Sequence, residues 1–487
     1  MSKHINHLSA LPQRPTASDS EAWRIYWSSQ GQPWRTRPEI DEQRREKLAQ
    51  YLAIATDVER GIYPFKNIKL SRADVEWLLA VQRIGREPGD PSDAGERESG
   101  GLDLRGADLR GEDLSGLPLT RLRGGLTIRE LGNTTPEQRS AAAVHLEGAS
   151  LINAHLEGAF LHGAHLEGAS LLEAHLEEAF LDEAHLEKSN LFQSHLRGAN
   201  LGFAHLEGAN LIRACLEEAN LSFAHLLGTL LSEACLEGAN LMMAHLEGAN
   251  LTGTHLEGAR LQRASLDSRT ALEDAILSDG RHKFAFLADI RWGGVNLTDV
   301  DWSPVTVLGD EYEARQPKAR GRRVKEKTER LGEYKAAVHA NRQLALVLRS
   351  QGMNEEADHF AYRAQLLQRV VYRRQRRLLK YTFSWFLSLL AGYGYRLLRS
   401  IFIYLFVIMS FAAGYYWATH ALHAHTYSLN CYEALVLSIS SFHGRGFFQP
   451  VQSPGDPVAI LAAAEAVFGL LIEISFIATF TQRYFGR

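Results

Sequence analysis

Cysteine is nearly missing from this chain: Cys215, Cys235 and Cys431 are the only three in 487 residues. Three thiols build no disulfide framework, which excludes a small secreted scaffold stapled by disulfides. The first thirty residues hold no apolar run that would form the core of a signal peptide, and none as long as a membrane span occurs before Ser400. Catalytic signatures are missing too. There is no phosphate-cradling glycine loop, nucleophile elbow or metal-protease helix, so neither an enzyme nor a bound cofactor is expected. A hydrophobic fraction of 45%, a charged fraction of 23% and a net charge of -4 argue against a collagen-like, disordered or many-spanning chain. The bulk of the chain therefore reads as cytosolic, and its length allows roughly three domains at about 150 residues each.

Histidine, by contrast, is abundant, with 20 residues. Ten of them, at 145, 155, 165, 175, 185, 195, 205, 225, 245 and 255, fall on one period of ten that runs from Val144 to about Ser265, as in HLEGAFLHGA at His155 to Ala164. A period of five lies beneath it: Leu recurs from Leu146 to Leu261, with a small residue, mostly Ala, two positions before most of these leucines. Five matches neither the 3.6 of a helix nor the 2.0 of a strand, and implies a solenoid that turns a corner every five residues.

Ala199-Asn200-Leu201-Gly202-Phe203, a small residue, a polar residue, Leu and two variable positions, resembles the pentapeptide-repeat family. The resemblance implies a right-handed quadrilateral β-helix with four pentapeptides per coil, the Leu and the small residue pointing inward. Coils stacked at about 4.8 Å would satisfy each other's backbone. The expected fold class is thus a pentapeptide β-solenoid with helical caps, followed by an α-helical membrane domain. Residues 1–95 read as an N-terminal helical cap, 96–143 as first repeats plus an excursion starting at Thr120, and 144–270 as the main β-helix. Residues 271–312 read as the opposite cap, 313–380 as a basic helical hairpin and linker, and 381–487 as the membrane domain.

Within that last stretch, 381–391 reads as an interfacial helix, 398–421 as span 1, 431–442 as a pore helix, 443–449 as a pore loop and 458–481 as span 2. Ser400 to Ala418 carries no charged side chain, and about 20 residues of helix cross the hydrocarbon. Tyr415, Tyr416 and Trp417 read as an aromatic belt at one interface. Arg373, Arg374, Arg376, Arg377 and Lys380 precede the first span, whereas Leu422 to Pro457 between the spans contains Arg445 alone of Lys and Arg. The positive-inside rule then places the protein in the cell (inner) membrane, multi-pass, with both termini cytoplasmic.

Span, short helix, glycine loop and span resemble the two-helix potassium-channel family, in which a pore helix is followed by Thr-x-Gly-Tyr-Gly-Asp. Here Phe442 stands at the Thr, His443 at the variable residue, Gly444 and Gly446 at the glycines, Arg445 at the Tyr and Phe447 at the Asp. The resemblance implies a pore built from Ser441 to Phe447, assembled as a homo-oligomer, most simply a tetramer, with permeating ions and the lipid bilayer as partners. Only the glycines match, so selectivity stays open. Arg445 either pairs behind the loop with Glu433, leaving carbonyls on the axis, or faces the ions with His443 and favours anions. In span 2, Glu465 and Glu473 are eight residues apart, about 80° around the helix, and are expected to face the pore, a neighbouring subunit or the loop's base. Gly469 between them is either a gating hinge or a close helix crossing.

With four sides per coil, histidines twenty apart stack. His145, His165, His185, His205, His225 and His245 form one ladder, and His155, His175, His195 and His255 a second in which Cys215 and Cys235 fill the gap. Outward and partly solvated, the ladders read as packed surface features. The first is also a candidate coupled pH array, and metal ligation through Cys215, Cys235 and neighbouring His195 or His255 is the third alternative. A straight ladder approximates a tetrahedron poorly, so no metal is expected. From Val144 to Thr270 there are 17 acidic and 6 basic side chains, against 18 basic and 7 acidic from Glu313 to Lys380. No nucleic acid is expected as a partner; a cytosolic protein or ligand on the β-helix is. An ion channel carrying a repeat scaffold is the leading functional expectation, and a membrane-anchored scaffold without conductance the alternative.

Overall fold

In the computed structural model, residues 14–15, 19–84, 100–132, 134–318, 323–391, 397–421, 429–444 and 457–484 are described. Contacts divide the chain into two units, Met1–Gln316 and Pro317–Arg487.

The first unit is a solenoid with a register of twenty. His145 bridges His165, Ser150 bridges Ser170, His155 bridges His175 and Phe160 bridges Phe180, all parallel, and the pattern continues upward. Each coil gives its neighbours both backbone partners. Leu166 N–H donates to the His185 carbonyl at 2.7 Å, and His185 N–H donates back to the Ala164 carbonyl at 2.9 Å. The leucine and the small residue of each pentapeptide are sealed inside, as with Leu226 and Ala224, both 0% exposed. Corners are four-residue turns closed by a bond such as Ala149 N–H to the Leu146 carbonyl at 3.0 Å. Their third residue takes positive φ, as type II turns require. Gly228 (φ +64°) does so freely. Phe223, at the equivalent corner with φ +60°, offsets its strain by stacking on Phe203 at 4.7 Å.

The solenoid is longer than its strict period. Arg123 bridges both Asp103 and Phe160, and Leu122 is buried, so residues 120–124 close a coil and do not begin the excursion. The true insertion holds two short helices, after α1 (Ser20–Ser29), α2 (Glu42–Leu52) and α3 (Arg72–Ile84): α4 (Ile128–Leu131) and α5 (Pro136–Ala142). At the other end Ala271, Ile276, Phe286 and Arg291 bridge Asn250, His255, Arg260 and Ser265. The segment expected to be only a cap therefore opens with another coil. Its period is hidden by a small antiparallel loop, Ser278 to Phe284.

Both ends are closed. Residues 67–70 pair with the first coil, Leu70 N–H donating to the Asp108 carbonyl at 2.9 Å. Buried Arg72 donates to the carbonyls of Asp113 and Ser115 at 2.8 and 3.0 Å. These bonds occupy carbonyls that a terminal coil would leave open. At the far end α6 (Gly309–Arg315) packs so tightly that a Cβ on Gly309 would stand 2.4 Å from the Phe284 carbonyl oxygen.

The second unit is helical: α7 (Lys327–Ser350), α8 (Asn354–Arg374), α9 (Leu378–Ala391), α10 (Leu397–Ala421), α11 (Cys431–Phe442) and α12 (Pro457–Tyr484). Gly352 (φ +84°) turns α7 back against α8, where Leu344, Leu348, Phe360 and Leu367 form the buried seam. Helix α9 exposes Leu379, Phe383 and Trp385.

Candidate functional site

In the first unit the ladder positions stack as parallel rings. His145–His165, His165–His185, His185–His205, His205–His225 and His225–His245 have centroids 4.8 to 5.1 Å apart. In the second ladder His155, His175 and His195 stack likewise, followed by Cys215, Cys235 and His255 in register. The glutamate two residues on lies on the same face. Nδ1 of His145 is 2.9 Å from Oε1 of Glu147 and Nδ1 of His185 is 3.2 Å from Oε1 of Glu187. Burial, reinforced by His205 alongside, lowers the pKa of His225. Burial, then the Glu237 carboxylate, pushes the Cys235 thiol up to about 11, and burial also raises that of Cys215. Both are therefore protonated, unreactive thiols at neutral pH.

In the second unit, Ile401–His420 is long and apolar enough to cross a membrane, and only 22% of it is buried within the chain. A soluble core helix would be mostly covered. Phe402, Phe406, Met409 and Trp417 stand exposed on α10, as do Ile460, Val467, Leu470 and Ile474 on α12. Tyr415 departs from the expected belt: it is fully buried, and its hydroxyl donates to Glu465 at 2.7 Å.

Helix α11 starts with a capping box, in which Asn430 N–H donates to Glu433 at 2.9 Å and Glu433 N–H donates to the Asn430 side chain at 3.2 Å. Glu433 is thereby a helix cap, and its expected pairing with Arg445 falls on a residue outside the described ones. Arg445, Gly446 and Phe447 lie outside the described residues. The first turns of α11 pack at one end of its neighbours, Ala434 with Tyr415, Val458 and Ala462. Its last residue packs at their middles, Phe442 with Ile408 and Ile472. A Cβ on Gly469 would lie 2.0 Å from the Phe442 carbonyl oxygen, so Gly469 is a point of close backbone approach, about 18 Å along α12 at 1.5 Å per residue. The short helix thus descends from one end of the hairpin to its centre.

Glu465 is turned inward within the chain. It is 0% exposed and held by Tyr415 and by Ser438 Oγ at 2.5 Å. Of its expected positions, the pore, a neighbouring subunit and the loop's base, this contact with α11 lies on the side of the last. Sequence reading missed Tyr415 and Ser438, since a tyrosine or serine in an apolar run carries no signal of its partner. Glu473 is half-buried, with Oε1 3.6 Å from Nε2 of His443. His443 is oriented on both sides: Nδ1 lies 2.9 Å from the Ile439 carbonyl, and Nε2 3.2 Å from the Tyr404 hydroxyl. An Nδ1–H donating to that carbonyl leaves Nε2 to accept from Tyr404. Ser441 and Phe442 are buried, and Gly444 (φ +63°) turns the chain out of α11.

Pentapeptide repeats match the chain in eight copies, at residues 145–182, 169–202, 184–222, 211–245 and 239–279. Among solved structures, the chain is similar to HetL, a pentapeptide repeat protein involved in heterocyst differentiation regulation from the cyanobacterium Nostoc sp. strain PCC 7120. Identity is 27%, over 44% of this chain and 94% of that one, with a TM-score of 0.25. A pentapeptide repeat protein of the Arabidopsis thaliana thylakoid lumen is 32% identical over 21% and 68% of the two chains, with a TM-score of 0.18. The plasmid-mediated fluoroquinolone resistance protein QnrB1 is 19% identical over 40% and 88%, with a TM-score of 0.25. No curated protein matches the chain. The twenty-residue register, the inward leucines and the family match over 145–279 agree: this segment is a pentapeptide-repeat solenoid.

Proposed function

We propose that the chain is a membrane protein in which a pentapeptide-repeat scaffold is joined to a pore-loop module, and that the module conducts ions as a homo-oligomer, most simply a tetramer. The observation that carries this reading is the descent of α11. A connection between two anchors has no need to enter the membrane. Here the helix ends at the centre of its neighbours, against Gly469. Non-helical backbone at that depth, such as His443-Gly444, is tolerated only where protein covers it or a water-filled cavity meets it. An axis shared by several subunits supplies such a cavity. The reading includes an inner-membrane location with both termini cytoplasmic, and a cytosolic protein or ligand on the solenoid.

The test is recording from the purified full-length chain in planar bilayers. Unitary currents whose reversal potential moves in Arg445→Tyr support the pore and assign Arg445 to selectivity. A chain that floats with vesicles yet never conducts, at any pH from 5 to 8, is a membrane-anchored scaffold. The exposed apolar faces of α10 and α12 are the observation that favours this second reading.

A further inference from the structure

Imidazoles stacked in a straight line offer a metal ion ligands from one direction, which makes a bare ladder a poor site. The glutamate two residues after each histidine supplies a ligand off that line. Oε1 of Glu207 stands 3.6 Å from Nδ1 of His205 and 3.9 Å from Nδ1 of His225 in the next coil. Sets of the same kind recur as His145, Glu147 and His165, and as His175, Glu177 and His195; in each set the ligand atoms lie within 4.8 Å of one another. A tetrahedral ion with bonds of about 2.1 Å spaces its ligands about 3.4 Å apart. Closing a set takes a few tenths of an ångström at the carboxylate and up to about 1.4 Å between the two imidazole nitrogens, with the rings tilting out of their parallel stack toward the ion.

A second observation points to the same place. The other carboxylate oxygen, Oε2 of Glu207, is buried without a hydrogen-bond partner, as it is in Glu147, Glu167, Glu177, Glu187, Glu247 and Glu257, and in Glu217 and Glu237 beside the cysteines. A glutamate that merely decorated the surface would turn this oxygen to water, because a buried acceptor left bare loses the hydrogen bonds it had in solvent. A cation beside the carboxylate supplies the missing interaction. The register around Glu207 is also distinctive. Residue 227, where the next carboxylate would stand, is Leu, so His225 has none of its own two residues on and turns to Glu207.

We propose that the His–Glu–His steps of the solenoid bind divalent transition-metal ions of the zinc class, with His205, Glu207 and His225 forming the best-defined site. Imidazole nitrogen with a single carboxylate suits zinc, cobalt, nickel or copper rather than magnesium or calcium, which prefer all-oxygen sets. The histidines are 35% and 40% exposed, which leaves a coordination position for water. Each ion joins two successive coils, so binding stabilises the folded solenoid by mass action. The site is independent of ion conduction by the second unit.

The experiment uses the untagged full-length chain in detergent. Cobalt(II) is titrated while its visible d–d absorption is followed, zinc is then added in competition, and thermal unfolding is measured with zinc and with magnesium. Saturable tetrahedral-type bands displaced by zinc, and a melting temperature raised by zinc but not by magnesium, are expected. Glu207→Gln, which keeps the side chain's shape, is expected to remove one equivalent or weaken it about tenfold or more, with circular dichroism unchanged. No saturable band, an equal response to magnesium, or full binding in Glu207→Gln would each overturn the assignment.

Discussion

A corner residue of the solenoid is constrained by its backbone and an inward residue by its volume. Gly228 has open space around its Cβ position, so Gly228→Ala pays for φ alone, and about 1 kcal/mol of destabilisation is expected from denaturant unfolding. Asp310 is constrained differently. It is buried at the end of the solenoid, accepting from Leu287 and Ala288 N–H at 2.7 and 3.1 Å. Burial nonetheless outweighs those bonds and raises its pKa from 3.8 to about 6. With the folded value above the unfolded one, the stabilisation is complete below about pH 4 and lost as pH rises through about 6. Stability is therefore expected to fall over that window by up to about 3 kcal/mol, and chemical denaturation of Asp310→Asn from pH 4 to 7 should show that fall removed. If the variant keeps it, the carboxyl responsible is another.

Among the elements, the decisive contact is α11 on α12. Because the Phe442 carbonyl oxygen occupies the place of a side chain at residue 469, Gly469→Ala has to push the end of α11 away. Melting of the detergent-solubilised chain is expected to drop in the transition that reports the helical unit, and any conductance is expected to change with it. The same substitution at Gly414, where a Cβ meets nothing within 4 Å, is expected to leave both unchanged. Residue 469 was legible as a small residue inside an apolar helix. Its partner was not, because a backbone carbonyl from another helix leaves no trace in residue type. Glu433 shows the converse. Read only as a counter-ion for Arg445, it also closes a capping box with Asn430, a local role that the search for a distant partner passed over.

For the whole molecule, the register of twenty makes the repeat unit one coil. Deleting residues 205–224 joins Ala204 to His225 in phase, so His225 falls on His185 and every inward leucine keeps its side. The shortened chain is expected to fold with unchanged circular dichroism and a melting temperature within several degrees of the parent's, as nearest-neighbour energetics imply. Replacing Arg72 by Ala is expected to cost more than its single site suggests. It opens the first coil and leaves buried Glu76, 2.8 Å from Arg72 Nε, without this cation. Aggregation beyond the parent's own oligomeric state, measured by light scattering, would report the exposed edge.

Much of this architecture was determined by the sequence alone. A Leu every five residues is a volume and a direction at once, and both are local properties that repetition makes unambiguous. The apolar run of α10 is equally local, since length and composition alone make it able to cross a membrane. Tertiary structure decided the rest wherever a residue's partner lies far along the chain. The extra coils at 120–124 and 271–291, the inward turn of Tyr415 and Glu465, and the meeting of Glu207 with two imidazoles from successive coils depend on which segments the fold brings together. Spacing along a chain does not encode distance across it once the period is broken.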